Sequence, residues 1–205
     1  MLVIWGRINS VNVQKVLLCC EELGIEYRRI DAGGPFGIVD TPEYRRRNPN
    51  GLVPTIDDDG FVLWESNAIV RYLAEKHRGS LWPADPRVRA VADQWMDWSH
   101  TTYWPALRTA FLGLIRTPPA EQNATAIAES LRKTAEILES VDEHLRSRAY
   151  LAGSEFTVGD IALGAGIWRW MALPIERPAR SHVERWFEAL SQRPAYRKIV
   201  MSPLT

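Results

Sequence analysis

The sequence predicts two domains: an α/β domain over residues 1–80 and an all-helical domain over residues 87–205, joined by a linker at 81–86. Two observations predict this fold class. Short apolar runs alternate with amphipathic segments through the first part of the chain, which is typical of a sheet covered by helices. After the proline-rich stretch "WPADPR", every patterned segment has apolar residues at helical spacing. The first domain is therefore predicted in the order β-α-β-α-β-β-α.

The elements of the first domain each carry a local signal. "LVIW" is typical of a buried strand, and the helix that follows is predicted from about Val11 to Gly24, a C-terminal stop. "IEYRRI" is predicted as a second strand, and "TPEYRRR" as a short helix with Thr41 as its cap and Pro42 at its first position. "LVPTI" and "FVLWE" flank "DDDG" and predict a hairpin. "SNAIVRYLAEKH" is predicted as a helix capped by Ser66.

The second domain shows the spacing of amphipathic helices. One long helix is predicted from apolar residues repeating at intervals of three, four and seven: Ile127, Leu131, Leu138, Val141 and Leu145. "TVGDIALGAGIWRWM" begins with Thr157 and Asp160 at capping-box spacing. "SHVERWFEALSQRP" is predicted as a further helix that ends at Pro194.

Composition excludes several classes of protein. The chain of 205 residues is 46% hydrophobic and 24% charged, and its 25 Lys and Arg balance its 25 Asp and Glu, which argues against a general nucleic-acid binder. Cys19 and Cys20 are adjacent, and neither they nor the four histidines have metal-ligand spacing, so no metal site is predicted. No signal peptide is recognised and no apolar run approaches the length of a membrane span. We therefore expect a cytoplasmic protein without a membrane partner.

The stretch "INSVNVQKV" places Ser10 and Asn12 at the junction between the first strand and the first helix. A hydroxyl beside a helix N-terminus is well placed to hold an anion. The alternative is structural, because Ser is also a favourable N-cap.

Two more stretches can be interpreted either as ligand-binding or as purely structural features. In "NGLVPTI", a cis Val53-Pro54 bond would turn the Val53 backbone outward to pair with a bound peptide, although most X-Pro bonds are trans. In "WESNAI", the start of a helix offers N–H groups to a carboxylate and Glu65 offers a partner for an ammonium group. The alternative is that Ser66 is only a cap and Glu65 only a first-turn acid.

A ligand with an anionic centre, a peptide backbone and an α-amino acid end would contact all three stretches, and glutathione has these parts. The stretches "GRINSVNVQKV", "NPNGLVPTI", "WESNAIVRYLAEKH" and "FTVGDIAL", in that order, resemble the cytosolic glutathione transferases over nearly the whole chain. The first resembles the bacterial branches of theta and nu type, where a small polar residue replaces the tyrosine of other classes. The resemblance implies a thioredoxin-like N-terminal domain, a C-terminal helical bundle and a homodimer.

The resemblance also implies roles for individual residues. Ser10, with Asn12 as an alternative or partner, would donate to the glutathione sulfur and favour the thiolate. Pro54 would be cis, Val53 would pair with the cysteinyl backbone, and Glu65 and Ser66 would hold the γ-glutamyl end.

The sequence departs from the family pattern at two places. Leu52 stands where many members have a lysine for the glycyl carboxylate, so that contact must come from elsewhere, such as a nearby Arg, or be weaker. The first-helix stretch from Ser10 to Val13 contains no Cys-x-x-Cys motif, so the protein supplies no redox thiol there.

The second substrate is predicted to be a small apolar electrophile. Its pocket would be lined by aromatic and apolar residues of the helical domain: Trp104, Phe111, Trp168 and Met171. The alternative is that these residues belong to the core. Two other functions remain open, a glutathione-dependent disulfide or peroxide reductase on the same site and a non-catalytic dimeric binding module.

Overall fold

The structure, a computed structural model, describes residues 1–77 and 79–205. The first domain contains the following strands and helices: β1 (Leu2–Trp5), α1 (Val11–Leu23), β2 (Tyr27–Ile30), α2 (Pro42–Arg47), β3 (Thr55–Asp58), β4 (Phe61–Trp64) and α3 (Ser66–Lys76). The second contains helices only: α4 (Pro86–Trp98), α5 (Trp104–Ile115), α6 (Ala124–Leu145), α7 (Val158–Ala172), α8 (Ser181–Ser191) and α9 (Pro194–Ile199). The predicted order of elements and the predicted fold class are therefore confirmed.

The sheet of the first domain has the strand order β2-β1-β3-β4. β1 runs parallel to β2 and antiparallel to β3, which in turn pairs antiparallel with β4. The parallel β1–α1–β2 unit and the β3–β4 hairpin therefore build a mixed sheet of thioredoxin-like type. α1 and α3 pack against each other, and α1 also contacts α7 and α9 of the helical domain.

Several predicted boundaries agree closely with the structure. α1 begins at Val11 and ends at Leu23, and its C-cap Gly24 has a φ of 64°, the left-handed conformation that glycine adopts without steric cost. Thr41 caps α2 through its side chain, with Pro42 in the first turn. The Thr157–Asp160 capping box is also present, because the Asp160 carboxylate accepts from the Thr157 N–H at 2.9 Å.

Several boundaries differ from the prediction, most by one or two residues. The hairpin strand begins at Thr55, so Leu52, Val53 and Pro54 remain in the preceding loop. The N-cap of α3 is Glu65, and Ser66 is the first helical residue, because the chain already reverses direction at Glu65.

In the second domain, α4 begins at Pro86, inside the predicted linker, with Asp85 as its cap. Pro194 does not end α8. It begins α9, since a proline has no N–H to lose in the first turn of a helix.

The apolar core runs from the sheet through α1 into the helical domain. Cys19 and Cys20 lie in it with no exposed surface, and burial raises the pKa of the Cys20 thiol to about 12. Both thiols are therefore packed and unreactive at neutral pH. Within residues 1–77 and 79–205, none of the helices combines the length and the apolar character needed to cross a bilayer.

Candidate functional site

The three sequence stretches meet at one edge of the sheet. Trp5, the last residue of β1, pairs with Thr55, the first residue of β3, and Thr55 pairs on its other side with Trp64, the last residue of β4. The loop after β1, the loop before β3 and the turn after β4 therefore emerge side by side. These segments carry Ser10, Val53-Pro54 and Glu65-Ser66, which the sequence analysis selected as one site.

Ser10 sits at the N-cap of α1, yet its side chain does not cap the helix. Its backbone is extended (φ −84°, ψ 124°), and its carbonyl accepts the first helical hydrogen bond from the Gln14 N–H at 2.9 Å. The hydroxyl makes no side-chain cap bond. Since the first N–H groups of a helix have no acceptor within it, the hydroxyl and the start of α1 are both free to bind an anion. The Ser10 side chain therefore does not act as the cap of α1.

A pocket of about 350 Å³ opens beside Ser10, between the first domain and α5. Asn12 and Val53 line it together with Ser10, whereas Pro54, Glu65 and Ser66 are not among its lining residues. Asn9, Val39 and Leu52 also contribute to its walls, and Leu52 keeps 64% of its surface exposed. Its volume is in the range of small-molecule sites.

The loop that presents Val53 is fixed by hydrogen bonds from α2. The Val53–Pro54 peptide bond is cis, as the family resemblance implied. The Leu52 carbonyl accepts from the Tyr44 hydroxyl at 2.7 Å and from the Asn48 side-chain amide at 2.9 Å. These two contacts hold the residue before Val53, so that the Val53 backbone has a defined position at the pocket wall.

Glu65 and Ser66 form a separate polar corner next to this loop. Glu65 is exposed and has a φ of 72°, a left-handed conformation that costs a non-glycine residue on the order of 1 kcal/mol or more. Ser66 is 5% exposed at the first position of α3. Glu65 offers a negative charge for a ligand ammonium group, and the helix N-terminus that follows offers N–H groups for a ligand carboxylate. The two are adjacent, so one ligand that carries both groups can contact them together.

Lys15 lies beneath this corner and was not selected from the sequence. It is 4% exposed, and its ammonium group is 3.5 Å from the side-chain oxygen of Asn67. Burial, together with the positive charge of Arg169, lowers the pKa of Lys15 to about 8, and the negative charge of Glu65 opposes this shift. A buried lysine without a carboxylate in hydrogen-bond contact adds positive potential under the Glu65–Ser66 corner.

The predicted second-substrate residues divide into two groups. Trp104 and Phe111 line the pocket, with ring centroids 5.8 Å apart. Trp168 and Met171 do not line it. Trp168 faces the chain end, where its indole N–H donates to the Ser202 carbonyl at 2.9 Å, and Met171 packs against the core. Trp168 and Met171 lie on α7, and their sequence spacing did not reveal which side of that helix faces the pocket.

The sequence analysis also missed the charged wall of the pocket. Four arginines line it and no acidic residue does: Arg7, Arg108, Arg116 and Arg169. They come from the loop after β1, from α5 and from α7, so no local pattern in the sequence brings them together. The pocket therefore combines a charged wall with an apolar part that Trp104 and Phe111 supply.

A larger cavity of about 830 Å³ lies elsewhere, between the C-terminal end of α3, the N-terminal end of α4 and the loop before α7. None of the predicted site residues lines it, and its walls hold no cysteine, histidine or lysine. Among the residues that the structure describes, no cluster of His, Cys, Asp or Glu has the arrangement of a metal site. The pocket beside Ser10 is therefore the candidate active site.

The fold and this pocket together define a class of protein. A thioredoxin-like domain followed by a helical domain, with a small polar residue at the start of α1 and a cis-proline loop beside it, is the architecture of the glutathione transferases.

Comparison with known proteins identifies the family. Family models of the glutathione S-transferase N-terminal and C-terminal domains match residues 9–76 and 95–194. Glutathione S-transferase GstB of Escherichia coli strain K12 is 43% identical, with 100% of both chains covered, and probable glutathione S-transferase GSTF2 of Oryza sativa subsp. japonica is 32% identical, with 96% of this chain and 94% of its own covered. The crystal structure of the theta class glutathione S-transferase from the citrus canker pathogen Xanthomonas axonopodis pv. citri with glutathione bound superimposes with a TM-score of 0.97 at 48% identity, covering 100% of this chain and 99% of that one. The chain belongs to the glutathione S-transferase family.

Proposed function

We propose that the pocket beside Ser10 binds glutathione, activates its thiol as the thiolate and transfers it to a small electrophile. The observation that carries this proposal is the unengaged Ser10 hydroxyl at the open start of α1, directly beside the Val53 backbone and at the same sheet edge as Glu65 and Ser66. The family relationship, including the glutathione-bound Xanthomonas structure, supports the same ligand.

Each part of glutathione has a matching group. Glu65 accepts from the α-ammonium of the γ-glutamyl end, while the Ser66 hydroxyl and the start of α3 hold its carboxylate. The Val53 N–H and carbonyl pair with the cysteinyl backbone. The sulfur then lies at Ser10 and the start of α1, with Asn12 two residues further along to donate as well or to orient the peptide.

The chemistry follows from the charge on sulfur. A free thiol has a pKa of about 8.5, so little thiolate exists at neutral pH. The Ser10 hydroxyl and the helix N-terminus stabilise the anion, and the thiol proton passes to solvent. In a substitution, the thiolate attacks the electrophilic carbon, a C–S bond forms, and the leaving group departs with its electron pair. In an addition to an unsaturated ketone, the electron pair of the double bond moves to the carbonyl oxygen, and the enolate takes a proton from solvent. Ser10 is a donor in this scheme and never the nucleophile.

The apolar part of the electrophile would pack on Trp104 and Phe111, the aromatic residues that line the pocket. A disulfide or peroxide reductase is the alternative chemistry for the same glutathione site. Conjugation is favoured because no cysteine is among the residues that line the pocket, so a reductase would need a second glutathione as its resolving thiol.

The assay compares products. Purified protein is incubated with glutathione and one representative each of a halonitroarene, an unsaturated ketone, a disulfide and a hydroperoxide, and products are identified by mass spectrometry. We expect thioethers with the first two. Oxidised glutathione as the sole product would instead show the reductase, and failure to bind glutathione by calorimetry would overturn both.

We further propose that the protein is a homodimer and acts in the cytoplasm on electrophiles that need to be detoxified, as the family resemblance implies. Light scattering coupled to size-exclusion chromatography tests the dimer, since a monomer of the 23.4 kDa chain is readily separated from twice that mass.

A further inference from the structure

The arginines that line the pocket form a cluster of positive charge without acidic neighbours. Its members are Arg7, Arg108, Arg116 and Arg169. Within residues 1–77 and 79–205, none of the four makes an ion pair with an acidic side chain, although many other arginines of the protein do. A cleft lined by one sign of charge concentrates ligands of the opposite sign.

Arg169 lies deepest in this cluster. It is 3% exposed, and its guanidinium donates only to neutral oxygens: the Gln14 side chain at 3.0 Å, the Ala165 carbonyl at 2.9 Å and the Asn9 carbonyl at 3.2 Å. Burial, reinforced by the charge of Arg116, lowers the pKa of Arg169 to about 10. A buried cation that is hydrogen-bonded but not neutralised favours the binding of an anion nearby.

Arg116, which is exposed, and Arg7, which is half-buried, add positive charge to the same pocket. Arg116 contacts Arg169 through a shared aromatic ring, since their guanidinium carbons lie 5.3 Å and 5.5 Å from the centroid of Phe111. Desolvation, together with the charge of Arg7, lowers the pKa of Arg116. Arg116 also donates to the main-chain oxygen of Thr205 at 2.8 Å and 3.0 Å. The guanidinium groups therefore repel one another and are held together by the fold.

Glutathione alone does not balance this charge. If its γ-glutamyl end is held at Glu65 and Ser66, the bound thiolate form brings two further negative charges to the pocket, one on sulfur and one on the glycyl carboxylate. Four guanidinium groups line the same space. Two positive charges remain. Arg116 and Arg169 lie against the ring of Phe111, where the second substrate is expected, and Arg7 lines the same pocket.

We propose that the second substrate is a small electrophile that carries an anionic group, such as a carboxylate, with Arg7 and Arg116 as the groups that contact the anion and Arg169 as the buried charge behind them. This inference rests on the proposed transferase function and narrows its substrate class. The anion is not altered in the reaction. It orients the electrophilic carbon toward the thiolate while the apolar part of the molecule packs on the aromatic rings.

A matched pair of probes tests the proposal: 4-chloro-3-nitrobenzoate and 4-chloro-3-nitrobenzamide. In both, the glutathione thiolate attacks the ring carbon that bears chlorine, the C–S bond forms, the C–Cl bond breaks and chloride leaves, with the thiol proton released to solvent. The probes share the ring and the leaving group and differ at the other end of the ring, where one carries a carboxylate and the other a neutral amide. The measured quantity is kcat/KM for each probe, divided by the rate constant of its uncatalysed reaction with glutathione.

We expect the acid to be accelerated at least about tenfold more than the amide, the effect of one charge-assisted hydrogen bond. Arg116→Gln and Arg7→Gln should each reduce this ratio several-fold, and Arg116→Lys should restore most of it. Arg87→Gln is the matched control, because Arg87 is exposed on α4 and lines none of these pockets. An acid-to-amide ratio near one in the wild type, or a ratio that Arg116→Gln leaves unchanged, would overturn the proposal.

A binding measurement separates this result from failure of the transferase function itself. 4-Methyl-3-nitrobenzoate and the corresponding amide have no leaving group, so their binding to the glutathione complex can be measured by tryptophan fluorescence whether or not the enzyme turns over the reactive pair. Preferred binding of the acid together with glutathione supports the anion site even without turnover. If the acid instead competes with glutathione, the arginines are fully taken by glutathione, no charge is left for a second anion, and the proposal is wrong.

Discussion

Replacing Ser10 with alanine removes the hydroxyl that the proposed mechanism requires and leaves the rest of the site in place. The hydroxyl makes no side-chain cap bond to α1, so its loss should change the free energy of unfolding by less than about 0.5 kcal/mol. The start of α1, Asn12 and the Val53 backbone all remain. Any effect of Ser10→Ala on the thiol is therefore an effect of one missing donor.

The size of that effect can be derived from the hydrogen bond alone. A hydrogen bond to a charged group contributes about 1.5–3 kcal/mol and one between neutral groups about 0.5–1.5 kcal/mol. The difference, about 1–1.5 kcal/mol, is the amount by which Ser10 favours thiolate over thiol. At 1.36 kcal/mol per unit, we expect Ser10→Ala to raise the pKa of bound glutathione by about one unit. The conjugation rate at pH 7 should fall up to about tenfold and recover as the pH rises.

The assay is a titration of thiolate absorbance in the glutathione complex, together with the pH profile of kcat. Ser10→Thr keeps a hydroxyl and should titrate near the wild type. Ser181→Ala is the control, since Ser181 also begins a helix but is exposed on α8, away from the pocket. If the titration of Ser10→Ala does not move, Ser10 has no part in thiolate stabilisation, and Asn12 or the helix end alone is responsible.

The remaining predictions concern binding and stability. Glu65→Ala should weaken glutathione binding more than Ser66→Ala, because it leaves the ligand ammonium unpaired; equal affinity of Glu65→Ala and wild type by calorimetry would show that the γ-glutamyl end lies elsewhere. Leu52→Lys adds a cation to the arginines that already face the glycyl carboxylate and should tighten glutathione binding by at most about fivefold, the value of an exposed ion pair, whereas no gain would mean that the arginines already satisfy that carboxylate. Lys15 has a pKa of about 8 in the folded protein and about 10.4 when unfolded, so the folded state binds fewer protons between these values and stability should rise as the pH increases from 8 to 10. Lys15→Met should remove this rise and raise the free energy of unfolding at pH 7 by about 2–3 kcal/mol; denaturant unfolding that shows a less stable variant would contradict the desolvation argument.

Features encoded by neighbouring residues were predicted well from the sequence. The bounds of α1, the Thr41 cap of α2 and the Thr157–Asp160 capping box all depend on contacts within four residues, so a local pattern is enough to specify them. The errors arose where the chain changes direction. The N-cap of α3 is Glu65, because β4 continues to Trp64 and the turn between the two elements is made by this single residue. Its positive φ is a conformation that glutamate rarely adopts, so the sequence did not predict it.

The composition of the pocket was decided by tertiary structure. The sequence determined the two-domain fold, the glutathione transferase resemblance and the three stretches at the sheet edge, because strand pairing brings those stretches together in a way that follows from the order of elements. It did not determine that Arg7, Arg116 and Arg169 meet, or that Trp168 faces away from the pocket. These residues are separated by up to 162 positions, and each has a local sequence context that is ordinary. Only the packing of α5 and α7 against the loop after β1 places their side chains in one cavity, because helical periodicity gives the faces of a helix but not the partner that each face meets.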